Sequence, residues 1–150
     1  MDPRGIIDGL VDGTDDENKL FIRPECRATD EDILHMESCM GSRLPDSYVW
    51  FLKRYGAGGL FDSFIDGMGI GDSRYQMILD SKSVADTLGL QDSLYIGCYD
   101  EKTVALLSLS KDGSPDGKVV VLDPESGEIV SAFESFYDYV IECFTNMEDD

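Results

Sequence analysis

The chain has one histidine, His35, with Glu31 four residues before it and Cys39 four residues after. On a helix that spacing puts a carboxylate, an imidazole and a thiol on one face. Any Ser-His-Asp or Cys-His mechanism would have to run through His35. A nucleophilic cysteine needs an electropositive setting and a metal centre needs more ligands, and this neighbourhood is acidic. His35 is therefore expected to be a surface histidine among acids.

Glycine-rich stretches are the next place for chemistry. GMGIGD is G-x-G-x-G and lacks a clear strand–turn–helix context for a dinucleotide fingerprint. GSPDGK has three residues between its glycines where a phosphate loop has four, and Val119 stands where that loop needs Ser or Thr. Both read as turns. Carboxylate pairs such as Asp62 and Asp66 could in principle do acid–base work, but among thirty-one acids such pairs arise by chance. The expectation is no enzyme, no cofactor and no metal.

Charge is the strongest global signal. Thirty-one acidic residues against twelve basic ones leave −19, a surface that repels phosphate and so argues against a nucleic-acid ligand. Residues 121–150 carry nine acids and no base. Residues 41–60 lean the other way, with Arg43, Lys53 and Arg54 against Asp46. A partner that is itself basic fits this balance.

At 150 residues the chain has the length of one domain, able to bury roughly 70% of its unfolded surface. No apolar run approaches the ~20 residues that cross a bilayer, and the acidic N-terminus does not read as a secretory signal. A soluble cytoplasmic protein without membrane partners is expected. Cys26, Cys39, Cys98 and Cys143 show no paired spacing and are expected to be reduced and mostly buried.

The elements follow from periodicity. Ile6, Ile7, Leu10 and Val11 outline a short first helix frayed by glycines. TDDEN, residues 14–18, reads as a solvated acidic loop. Thr29 is a candidate N-cap for a helix with Asp30, Glu31 and Asp32 in its first turn and Ile33, Met36 and Met40 along its buried stripe. In LPDSYVWFLKRYGAGGL, Tyr48, Phe51, Leu52 and Tyr55 fall at i, i+3, i+4 and i+7, and Gly56 ends the helix. LFDSFID then reads as a strand. A further helix is expected from about Ser73 to Leu88 with Asp72 as N-cap and with Tyr75, Ile78, Leu79 and Val84 as apolar positions. SLYIGCY, TVALLSL, KVVVLD and EIVSAF form a meander, with Asp100-Glu101-Lys102 as its first turn, and SFYDYVIECF is the closing helix. The expectation is a single α+β domain over 1–150, with a central antiparallel-rich sheet of about five strands flanked by about five helices and an acidic tail at 147–150.

The order of these elements resembles a known family. A helix reading I-x-x-M-E, then Gly41, then LPDSYVWFLKRYGAGG is similar to the signature of the SUKH superfamily in its Smi/Knr-like branch. The likeness continues through YIGCYDE, KVVVLD and AFESFYDYV, covering about 29 to 144. In it, Ile33, Met36, Leu44, Pro45, Tyr48, Phe51, Leu52, Gly56 and Gly59 occupy structural positions. The resemblance implies an immunity protein that binds and neutralises a cognate toxin, often a nuclease or other nucleic-acid-modifying enzyme. The alternative it implies is a non-enzymatic interaction module in cell-wall or stress regulation. No toxin-contacting residue transfers by motif. From the residues themselves, the expected partner-binding patch gathers Asp62, Asp66, Asp72, Tyr75, Asp100 and Glu101, since loops carry recognition and an aromatic among acids suits a basic surface. A monomer or weak homodimer is expected.

Overall fold

The computed structural model describes residues 2–20, 27–60, 64–68, 75–87, 93–97, 103–109 and 117–145. The first helix, α1 (Pro3–Asp12), runs unbroken through Gly5 and Gly9. Asp2 caps it by accepting from the Arg4 amide, and Pro3 occupies the first turn, where a missing N–H is harmless. Ile7 and Val11 are its buried positions. TDDEN contains a short 3₁₀ turn, Asp16–Asn18, leading into β1 (Lys19–Leu20). That strand is two residues long, too short for an alternation signal to announce it.

Thr29 caps α2 (Asp30–Met40) through a full capping box. Its hydroxyl accepts from the Asp32 amide at 3.2 Å, and the Asp32 carboxylate accepts from the Thr29 amide at 2.8 Å. Ile33 and Met36 are buried, Met40 partly so, and Gly41 stops the helix. Pro45 immediately precedes α3 (Asp46–Arg54). Tyr48, Phe51, Leu52 and Tyr55 all face the core, as their spacing requires. Trp50, off that stripe, is half-buried between the Tyr55 and Tyr137 rings, with the Arg4 guanidinium over it.

After α3 comes β2 (Gly59–Leu60), antiparallel to β1. The rest of the LFDSFID run is described only from Phe64 onward, where Ile65 bridges Gly58 on one side and Gly97 on the other. Two glycines make this crossing possible. A Cβ on Gly67 would lie 2.0 Å from the Gly56 carbonyl oxygen, and one on Gly97 would lie 2.4 Å from that of Phe64. No side chain fits in either place.

The helix α4 (Gln76–Thr87) packs on β3 (Ser93–Gly97). Its buried residues include Ser81 and Ala85. Val84, expected on the apolar face, is instead 42% exposed. Three more strands complete an antiparallel meander: β4 (Val104–Ser108), β5 (Val119–Leu122) and β6 (Ile129–Phe133), in the order β3-β4-β5-β6. The fold is α+β, with four strands in one sheet and β1–β2 as a separate pair. Leu94, Ile96, Ala105, Leu107, Val119 and Val121 line the core face of the sheet. Against them lies α5 (Phe136–Phe144), which buries Phe136, Tyr139, Val140 and Phe144 and is capped by Ser135. On the other face, α4 contributes Ala85 to a small cluster with Leu106 and Leu122.

Leu52 is fully buried, and its side chain lies under the Gly67 turn. Leu52→Ala is expected to lower the unfolding free energy by about 2–5 kcal/mol. The buried Tyr48 hydroxyl donates to the Asp66 carbonyl, so Tyr48→Phe leaves that part-buried carbonyl without this donor and is expected to cost about 1–3 kcal/mol. Urea unfolding of both variants measures these losses. A midpoint equal to the parent's would remove the residue concerned from the core account.

Candidate partner-binding surface

Of the six residues expected to form a recognition patch, Asp66 and Tyr75 are described; Asp62, Asp72, Asp100 and Glu101 lie outside the described residues. Asp66 is tied down through its backbone. Its amide donates to the Ile96 carbonyl at 2.8 Å, and its carbonyl accepts the Tyr48 hydroxyl at 2.6 Å. The side chain is half-buried, not solvated, and burial pushes its carboxyl above the ordinary range. The Tyr48 hydroxyl is pushed up in turn, by its own burial first and by Asp66 second.

Tyr75 sits one residue before α4. Its hydroxyl donates to Asp32 at 2.5 Å, and its ring tilts over His35 with centroids 4.4 Å apart. Asp32 therefore closes the α2 capping box with one oxygen and holds the start of α4 with the other. Sequence reasoning placed Asp32 in the first turn as a dipole partner and missed this second use, because the Asp32–Tyr75 pair is separated by forty-three positions. Asp66 and Tyr75 thus both stitch elements together, Asp66 joining α3 to β3 and Tyr75 joining α4 to α2.

The His35 face turned out as spaced. Cys39 Sγ lies 3.7 Å from His35 Nε2, and both residues are exposed. Cys39 is exposed on α2, which departs from the expectation of a mostly buried thiol. No cluster of three metal-binding side chains occurs among the described residues. Cys143 is half-buried; burial pushes its thiol up to about 12, Glu142 adds to the shift, and a Tyr139 hydrogen bond opposes it. It is a neutral packing thiol at physiological pH. Cys26 and Cys98 lie outside the described residues, as does the rest of the GMGIGD run after Met68.

Two surface features were not foreseen. The first is a shallow groove of about 400 Å³ lined by Arg4, Asp46, Val49, Trp50, Lys53 and Arg54. Its cations are already engaged: Lys53 with Asp30 at 2.6 Å, Arg54 with Asp8 at 3.1 Å, and Arg4 with the Tyr137 hydroxyl at 2.9 Å. Asp8 also accepts the Tyr55 hydroxyl. The second is β6, whose Ile129 and Val130 are 65% and 56% exposed. The EIVSAF run announced a strand, but nothing in its alternation said that it would stand at the sheet edge.

The half-buried carboxyl of Asp66 has a pH signature. A carboxyl whose pKa folding raises favours the folded state below its unfolded pKa, and that contribution is lost as pH rises through the folded value. Asp66→Asn is therefore expected to be more stable than the parent at neutral pH, with the difference closing as pH falls below the ordinary carboxylate range. Urea midpoints of both proteins across that range check it. A gap that widens in acid would reverse the sign of the argument.

The elements from α2 to α5, with the α3 helix and glycine turn at their centre, form one continuous unit to which α1 is added. Over that unit, residues 27–142, the sequence matches the family described as the SMI1 / KNR4 family (SUKH-1). The chain belongs to the SMI1/KNR4 family.

Proposed function

We propose that this protein is an immunity protein, acting without catalysis, which binds a cognate toxin and blocks its active site by charge and bulk. The observation that carries this reading is the charge: thirty-one acids against twelve bases, −19 on 150 residues. Lys19, Lys53, Arg54, Lys82 and Lys118 are each engaged by an acid of the same chain. The family resemblance supplies the biological context, since many bacterial relatives look like toxin antagonists. A toxin that grips nucleic-acid phosphates must present a basic cleft. An acidic protein surface can occupy that cleft as a phosphate mimic, steered there by long-range attraction.

Within this proposal the patch Asp62, Asp66, Asp72, Tyr75, Asp100 and Glu101 retains a divided role. Asp62, Asp72, Asp100 and Glu101 supply charge. Asp66 and Tyr75 hold the elements that carry the patch, since Asp66 has its carboxyl half-buried and Tyr75 has its hydroxyl on Asp32.

The test begins with the product of the adjacent reading frame. Stopped-flow mixing is expected to give association on the order of 10⁸ M⁻¹s⁻¹ at low salt, falling steeply as ionic strength rises. Asp62→Lys combined with Asp100→Lys should slow association and flatten the salt dependence, leaving the urea midpoint within about 0.5 kcal/mol. Absence of a complex, or an association rate indifferent to salt, would overturn the proposal.

A further inference from the structure

The strand β6 ends the sheet order β3-β4-β5-β6, and among the described residues no strand pairs with its outer edge. An open edge presents a row of backbone donors and acceptors at strand spacing. Neither proline nor charge protects it, since Ile129, Val130, Ser131, Ala132 and Phe133 contain none; its one irregularity is a bulge at Val130. Ile129 and Val130 are 65% and 56% exposed, and Ala132 is exposed as well. Register explains where they point. Ile129 lies opposite Leu122 and Ala132 opposite Val120, and Leu122 and Val120 belong to the cluster on the sheet face that α4 covers. Val130 is the extra residue of a bulge between those pairs. The apolar layer thus continues past the small cluster and comes to the surface at β6.

Acids frame this strip. Glu128 and Glu134 bracket the strand, and Glu125 sits in the turn before it; all three are exposed. From Val119 to Glu134 the chain has no basic residue. Lys118 approaches Glu134 at 3.9 Å, with both side chains mostly exposed, a pairing worth little in water. An apolar centre with a charged rim is the anatomy of a recognition surface.

We infer that β6 is a docking edge to which a basic partner protein adds an extended strand, its backbone pairing with residues 129–133 and its lysines or arginines meeting Glu125, Glu128 and Glu134. Charge decides between this occupant and a second copy of the chain. In an antiparallel self-pairing centred on Ser131, Glu128 of each copy faces Glu134 of the other, so like charges meet at both ends. Two bodies each carrying −19 would also have to be brought together. A basic strand turns both terms favourable. Strand addition takes its affinity from main-chain hydrogen bonds and its selectivity from alternate side chains, and β6 offers both. This inference rests on the proposed basic partner, but it places contact at the sheet edge and not at the Asp62–Glu101 patch.

The test uses the full chain and a synthetic peptide of alternating valine and lysine. Two control peptides accompany it: one with alternate amides N-methylated, which keeps charge but removes one edge of hydrogen bonds, and one with glutamate for lysine. The expected result is slowed amide exchange across Ile129–Phe133 with the lysine peptide, and binding on the order of tenfold weaker or worse for both controls. Ile129→Thr with Val130→Thr should weaken binding by a similar factor while keeping the urea midpoint. Equal binding of the N-methylated peptide, or protection that maps away from β6, would overturn the inference. So would a dimer of the chain alone that the double threonine variant dissolves, since a second copy would then own the edge. Because the peptide assay needs no toxin, its failure with toxin binding intact only moves the contact elsewhere on the protein. Failed toxin binding with peptide binding intact counts against the immunity reading and leaves the docking edge standing.

Discussion

A fully buried tyrosine hydroxyl has one place to go in this fold. Tyr48 points inward from α3, packs edge-on against Phe136 of α5, and donates to the Asp66 carbonyl. The segment it grips also gives the Met68 amide to the Gly56 carbonyl, pairs Ile65 with Gly58, and passes the Asp66 amide to Ile96 of β3. One bond thereby fixes helix, glycine turn and sheet edge relative to one another. An unsatisfied buried hydroxyl or carbonyl is expensive, so the arrangement has little freedom to drift. The segment from Leu44 to Gly59 fills the core with its aromatics, and its Gly56 carbonyl oxygen lies 2.0 Å from where a Cβ on Gly67 would stand, so the crossing segment needs glycine there.

The local elements were legible in the sequence because local rules govern them. Thr29 before three acids forms the capping box it suggests, and the four meander runs appear in order, joined by turns such as Asp123–Gly127, where the Gly127 amide returns to the Asp123 carbonyl. What escaped was set by distant partners. Val84 has an apolar side chain at a plausible helical position, yet α4 packs Ala85 against Leu106 and Leu122 and leaves Val84 42% exposed. Asp66, at the end of the LFDSFID run, reads from the sequence as a recognition acid on a strand, and only its position beneath α3 and beside β3 reveals the half-buried carboxyl. The unpaired spacing of the cysteines suggests mostly buried thiols, yet Cys39 is exposed on α2. Exposure at β6 is likewise a property of sheet order, which periodicity does not encode.

The first helix adds something outside the matched family span. It supplies Ile7 and Val11 to the core and lies along α5. It also brings Asp8 to Arg54 and Tyr55, and Arg4 to Trp50 and Tyr137. Two of the three cations of residues 41–60 are thereby paired with acids of the same chain, while Arg43 stays exposed. Arg54 closes on α1, and Lys53 closes on α2 through Asp30. Surface pairs of this kind contribute little stability each, but their electrostatic effect on a partner is larger. They set an acid beside Lys53 and beside Arg54, so that the acid surplus dominates the field.

That field and the apolar edge answer different parts of a binding problem. Long-range attraction raises the encounter rate and is screened within about 8–10 Å at physiological salt, so it cannot by itself choose a register. A strand edge is short-ranged and directional, and a one-residue slip would turn every partner side chain to the wrong face. The bulge at Val130 sharpens this, since the altered twist it introduces favours one alignment over its neighbours. Glu128 and Glu134, at the two ends of the strand, convert the same choice into charge. In the proposed docking a basic strand meets both requirements, whereas in a second copy of this chain Glu128 and Glu134 would face like charge.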